Sequence, residues 1–165
     1  MKCTLVYLTV LVMTAVGNSV SAQDTVKPLA PQTELLKSEN PKYAANKKLV
    51  YDMWREFLEA GQMEVAEKYF TESYIQHNPN VASGRNALVE AFKKFSKPQP
   101  IADTIKSGVV AIVAEGDLVV LSFVSERPDP KDKTKKYTTT WFDMFRIENG
   151  KIAEHWDSAE KMNFD

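Results

Sequence analysis

Two strand-like runs near the end of the chain, Trp141 to Glu148 and Lys151 to Asp157, meet at Asn149-Gly150, and this short turn limits the fold more than any other stretch. Side chains alternate between sheet faces, so a one-residue slip across the hairpin exchanges every inward group for an outward one. Two loops suit the sequence. A two-residue Asn149-Gly150 turn pairs Glu148 with Lys151, which sets Asp143 opposite Trp156 and points His155 and Asp157 away from it. A three-residue loop, with a type I turn over Glu148 and Asn149 and Gly150 in the left-handed position of a bulge, pairs Ile147 with Lys151 instead. Trp141, Asp143, Phe145, Ala153, His155 and Asp157 then share one face, and Phe142, Met144, Arg146, Ile152, Glu154 and Trp156 the other. In that register Asp143 lies across from His155, Phe142 opposes Trp156, and Arg146 can lie diagonally near Glu154. The bulged loop is the expected one, because its third position calls for the left-handed backbone that glycine adopts without strain.

The N-terminus reads as a separate unit. Met1-Lys2, an apolar stretch from Cys3 to Val16 and the small residues up to Ala22 have the layout of a secretory signal, with cleavage expected before Gln23 and a secreted or periplasmic product. The apolar stretch is short for a membrane span of about 20 residues. Its removal takes away Cys3, the single cysteine of the chain. The mature protein can then form no disulfide, hold no metal through thiolates and use no cysteine nucleophile. About 143 residues remain, enough for one domain that buries roughly two-thirds of its unfolded surface. The formal net charge of -1 is spread along the chain rather than gathered in blocks, which speaks against a nucleic-acid partner. The basic run from Lys131 to Lys136 sits beside Pro128 and Pro130 and reads as a solvated loop.

From Gln23 to about Pro41 the chain is polar, with Pro28, Pro31 and Pro41, and is expected to be a flexible leader ahead of a domain from about residue 44. Leu49, Val50, Met53, Trp54, Phe57 and Leu58 then recur at helical spacing, with Asn46 as the expected cap and Gly61 as the stop. A second helix is expected from Gln62 to about Phe70, and a third from Asn86 to about Phe95 with Leu88, Val89, Phe92 and Phe95 inward; Pro98 and Pro100 end it. The remainder reads as four strands: Ile105 to Ala114, Leu118 to Ser125, Tyr137 to Glu148 and Lys151 to Ser158. Helices first and sheet second give an α+β class, three helices laid on a curved antiparallel sheet. No Gly-rich phosphate loop or serine nucleophile elbow is present, and nothing supports a nucleotide, flavin or haem.

Tyr74-Ile75-Gln76-His77-Asn78-Pro79, Gly84-Arg85 ahead of the third helix, and the closing run from Phe145 to Asp157 resemble, in that order, the SnoaL-like branch of the nuclear-transport-factor-2-like superfamily. The resemblance covers about Ala45 to Ser158. It implies a cone-shaped α+β barrel whose mouth opens into an apolar pocket, often assembled as a homodimer through the outer sheet face. It also implies cofactor-independent, metal-independent acid/base chemistry of the aldol cyclase, isomerase or dehydratase type on a small apolar carbonyl compound, or else binding of a hydrophobic ligand without catalysis or a purely structural dimer, since the superfamily holds all of these. Asp157 matches the carboxylate that serves as acid/base in the polyketide cyclases of that branch.

Proton removal next to a carbonyl needs a base and a donor for the enolate oxygen. Asp157 is the expected acid/base, with His155 and Asp143 as its proton and hydrogen-bond partners. Asp143 stands in the middle of an apolar strand, where a carboxylate must find a partner or a wet cavity. His77 is expected to reach the same pocket. Tyr74 and Arg85 could donate to a substrate oxygen, while Trp54, Phe57, Phe92 and Trp141 are core residues that could also line the pocket. The ligand is expected to be a small hydrophobic molecule. A metal held by His77, His155 and an aspartate would need ligands from distant segments without ligand spacing, so none is expected.

Overall fold

The structure, a computed structural model, describes residues 24–163. The expected signal segment lies outside them. Helix α1 runs from Pro41 to Met53, and the next turn, Trp54–Glu59, widens into a π-helix before Gly61 (φ 64°) ends it. Its cap is Asn40 rather than Asn46. The Asn40 side chain accepts from the backbone N–H of Lys42, and Pro41 fills the first helical position, where its missing N–H costs nothing. Asn46 lies inside the helix and is buried.

The expected second helix is a short 3₁₀ turn, Met63–Val65, followed by one turn of α-helix, α2 (Ala66–Tyr69). Phe70 does not end it. It opens strand β1 (Phe70–Gln76), a fifth strand that the sequence pattern did not reveal. Helix α3 spans Arg85–Lys93, with Leu88 buried and Val89 and Phe92 packed against the core. Phe95 is 72% exposed and does not point inward as expected.

Strands β2 (Val109–Glu115), β3 (Leu118–Pro128), β4 (Lys136–Glu148) and β5 (Lys151–Asp157) form the expected antiparallel meander. β1 adds to it in parallel beside β5, giving the order β1-β5-β4-β3-β2. The sheet is therefore mixed and open, not antiparallel throughout and not closed into a barrel. α1, its π turn and α3 cover one face, and Val50, Met53, Phe57, Phe70, Val109, Val119, Leu121 and Ile152 form the centre of the core between the layers. No helix of the described residues is long and apolar enough to cross a membrane.

Residues ahead of α1, read from composition as a leader, lie against this body. Leu29 N–H donates to Val109 O at 2.8 Å, and a 3₁₀ turn, Gln32–Leu36, buries Leu35. The Gln32 amide accepts from Tyr51 Oη at 2.7 Å and from Ile105 N–H at 3.0 Å while donating to Ile105 O at 2.8 Å.

The closing hairpin keeps the expected inner face by a different route. Its loop is the two-residue one: Asn149 (φ 49°) and Gly150 (φ 74°) take the left-handed conformations of a type I′ turn, and Glu148 pairs with Lys151. The extra residue comes two positions later. Ile147 pairs with Ile152 and Arg146 with Glu154, which leaves Ala153 as a bulge, and both Ile152 and Ala153 are buried. Past the bulge Phe145 faces His155, Met144 faces Trp156 and Asp143 faces Asp157. Asp143, His155 and Asp157 thus share the inner face, although Asp143 opposes Asp157 rather than His155.

Candidate functional site

The covered face of the sheet does not pack solid. A cavity of ≈ 280 Å³ remains, walled by Met53, Trp54, Phe57 and Leu58 from α1 and its π turn and by Leu88 and Phe92 from α3. Phe70 and Phe145 from the sheet also line it. At one end the lining turns polar: Tyr74, Gln76 and Asn78 from β1 and its continuation, with Asp143, His155 and Asp157 from β4 and β5.

The strand register explains this meeting. Gln76 is level with His155 across the parallel β1–β5 pair, and His77 N–H donates to His155 O at 3.0 Å. Alternation therefore puts Gln76 and Asn78 on the cavity side and His77 on the other.

His155 is 8% and Asp143 5% exposed, so each must find its hydrogen-bond partners inside the protein. His155 Nε2 lies 3.0 Å from Asp143 Oδ1, and its Nδ1 lies 2.8 Å from Gln76 Oε1. The Phe145 ring stacks on the imidazole at 4.7 Å. Both ring nitrogens are thus committed to protein groups, and His155 can reach a cavity ligand only through Asp143. The other carboxylate oxygen, Asp143 Oδ2, is buried without a protein partner.

Asp157 is held differently. Asn78 Nδ2 donates to its Oδ2 at 2.7 Å and Ala159 N–H to its Oδ1 at 2.9 Å, while Asn78 Oδ1 accepts from Asn80 N–H at 2.9 Å. These bonds fix the carboxylate's direction and leave lone pairs for a ligand. Tyr74 is 2% exposed, and its hydroxyl accepts from Gln76 Nε2 at 3.0 Å. Burial first, and then the negative charges of Asp157 and Asp143, push its ionisation well above the ordinary tyrosine value. It stays a neutral hydroxyl that can donate. Trp54 stacks on Phe123 at 4.2 Å.

Asp143, His155, Asp157, Tyr74, Trp54, Phe57 and Phe92 are therefore brought to one cavity, as expected from the sequence. Three expected residues are not. His77 lies on the outer face, its ring parallel to that of Trp156 at 4.9 Å and its Nε2 2.8 Å from Glu154 Oε1. Arg85 Nη1 donates to Phe70 O at 3.2 Å, tying α3 to β1 outside the cavity lining. Trp141 pairs with Phe123 across β3–β4 and packs on the core outside that lining. Gln76 and Asn78 were missed. Once Tyr74 to Gln76 is read as a strand, the period of two puts them beside Tyr74 and sends His77 away.

Asp143, His155 and Asp157 each offer a ligand atom within 4.8 Å of the others, the spacing of a cation site. In this arrangement His155 Nε2 and Asp143 Oδ1 bond to each other.

The sequence from residue 48 to residue 164 matches the family model described as SnoaL-like polyketide cyclase, and the chain belongs to that family. Among solved structures it is similar to a candidate SnoaL-like polyketide cyclase from Jannaschia sp. CCS1, with a TM-score of 0.52, 16% identity, and coverage of 74% of this chain and 91% of that one. A candidate polyketide cyclase from Acidithiobacillus ferrooxidans gives a TM-score of 0.51 at 18% identity, covering 73% of this chain and 89% of that one. No curated protein matches the sequence. At these identities the structural likeness is one of fold, and it agrees with the three helices and five-stranded mixed sheet of a nuclear-transport-factor-2-like cone.

Proposed function

We propose that this protein is a cofactor-independent acid/base enzyme that enolises a small apolar carbonyl compound, in a reaction of the cyclase, isomerase or dehydratase type. The observation that carries the reading is the cross-strand pair Asp143 and Asp157 at the polar end of an aromatic cavity, one bonded to an imidazole and the other to amide donors. Two carboxylates in such different surroundings divide the work of base and acid. Asp157, oriented by Asn78 and Ala159, takes the proton next to the carbonyl. A carboxylate only accepts, so the contact between Asp143 Oδ1 and His155 Nε2 holds a hydrogen, and this pair is the proton store that reprotonates the product. Tyr74 donates to the developing enolate oxygen.

The cavity volume supports a small ligand, since ≈ 280 Å³ lies just below the roughly 300–1,000 Å³ usual for small-molecule sites. Its Trp54, Phe57, Phe70 and Phe92 walls suit a flat, apolar body with its oxygen toward Tyr74. The test is a panel of one- and two-ring enolisable ketones incubated with the protein in deuterated water, with binding measured in parallel. Deuterium incorporation next to the carbonyl well above the buffer rate is expected for those that bind. Tight binding with exchange at the buffer rate would replace this reading with that of a non-catalytic binding module.

A further inference from the structure

We infer that Gln76 is a positioning residue that fixes the protons of the site: its amide keeps a hydrogen on His155 Nδ1 and turns the Tyr74 hydroxyl hydrogen toward the cavity. The inference deepens the acid/base reading above, but its test needs no substrate.

The backbone N–H of Asn78 lies 3.0 Å from one terminal atom of the Gln76 amide, and a backbone N–H can only donate, so that atom is the oxygen. The same oxygen lies 2.8 Å from His155 Nδ1. An amide oxygen only accepts, so Nδ1 carries hydrogen. With Nδ1–H settled, the 3.0 Å contact from Nε2 to Asp143 Oδ1 has two descriptions, an imidazolium against a carboxylate or a neutral ring accepting from a carboxylic acid. Either way the pair holds one proton more than a neutral histidine beside a carboxylate. Without the Gln76 acceptor the economical arrangement is the opposite tautomer, Nε2–H donating to Asp143, and the surplus proton is gone.

The amide nitrogen completes the relay. Gln76 Nε2 must donate, and Tyr74 Oη receives it at 3.0 Å. Tyr74 therefore cannot give its own hydrogen to Gln76, its hydroxyl makes no other hydrogen bond to protein among the described residues, and Tyr74 is one of the residues that line the cavity. One amide, oriented by one backbone N–H, thus charges the Asp143–His155 pair and frees the enolate donor. Gln76 touches no reacting atom and acts through these two.

The experiment is ¹⁵N NMR of the histidine rings in the full protein near neutral pH. The chain has two histidines, and a His77→Gln variant assigns the signals, since His77 lies on the outer face. In wild type we expect a proton on His155 Nδ1, against the Nε2–H form that a free neutral imidazole prefers. Gln76→Leu is expected to move the ring to the Nε2–H form. Gln76→Glu keeps an acceptor for Nδ1 and is expected to keep the wild-type ring, while its carboxylate takes the Tyr74 hydrogen out of the cavity. A bare Nδ1 in wild type overturns the inference, as does a Gln76→Leu ring identical to wild type. Should the Leu variant fail to fold, the wild-type spectrum alone decides. Failure to find turnover would remove the enolisation reading and leave the tautomer result standing.

Discussion

Glu154 shows how one substitution can separate the outer face of the hairpin from the inner one. Its Oε2 accepts from Arg146 Nε at 2.8 Å and its Oε1 lies 2.8 Å from His77 Nε2. The Arg146 guanidinium first, and His77 second, hold its carboxyl below the ordinary value of 4.5. A carboxyl depressed in the folded state stabilises the fold above its unfolded value and loses that contribution as pH falls through the lower, folded value. Glu154→Gln should therefore cost about 0.5–1 kcal/mol at neutral pH, the range of a partly exposed ion pair, and the difference should shrink as pH drops below about 4.5. Urea unfolding at several pH values checks this; a difference that stays constant into acid would mean that the pair contributes through packing and not through charge. Activity should be unchanged, because neither Glu154 nor His77 faces the cavity. His77 is the clearest residue-scale lesson. A histidine draws the eye as chemistry, yet its neighbours Gln76 and Asn78 hold the site, and only strand periodicity distinguishes them.

At the scale of elements, the alignment of the site rests on a single extra residue. With the type I′ turn alone, Asp143 would face Trp156; the Ala153 bulge shifts β5 by one and sets Asp143 against Asp157. Deleting Ala153 removes the extra residue itself, so Ile147–Ile152 and Arg146–Glu154 become successive pairs, Asp143 still opposes Asp157, and His155 should stay on the inner face. A loss of about 1 kcal/mol is expected for the missing buried alanine and the altered twist, read as a small fall in denaturation midpoint with ketone exchange kept. Loss of exchange together with a fall of about 3–5 kcal/mol, the cost of stranding one member of a buried pair, would contradict this register. The inner face was legible in the sequence, but its cause was misplaced: Gly150 pointed to a bulge in the loop, whereas the signal was the apolar doublet Ile152-Ala153, which breaks the alternation. The meander and the first helix were legible because hairpin turns and helical spacing are local. β1 was not, because its partner β5 lies at the far end of the chain and no local turn announces a parallel pairing. The start of α1 was hidden for a different reason, since Asn40-Pro41 reads equally as a loop or as a cap followed by a first-turn proline.

At the scale of the whole molecule, an open mixed sheet covered on one face by helices leaves a cavity between the layers, and the strand ends bring two carboxylates, an imidazole and a tyrosine to its lining. The α+β class could be anticipated from sequence, as could the presence of Asp143, His155, Asp157 and Tyr74 at one cavity, whereas the cavity's size and the exclusion of Arg85 and Trp141 from its wall depend on how the layers pack. The proposed chemistry requires Asp157 as the group that takes the proton. Asp157→Asn keeps size and lets the side-chain oxygen accept from Asn78 or Ala159, but removes the base. The decisive measurement is the rate of deuterium incorporation into a bound ketone at saturation, in wild type and in Asp157→Asn, with the dissociation constant of each. A rate lower by about 10²–10⁴-fold with affinity kept is the expected result; equal rates in the two proteins would contradict it.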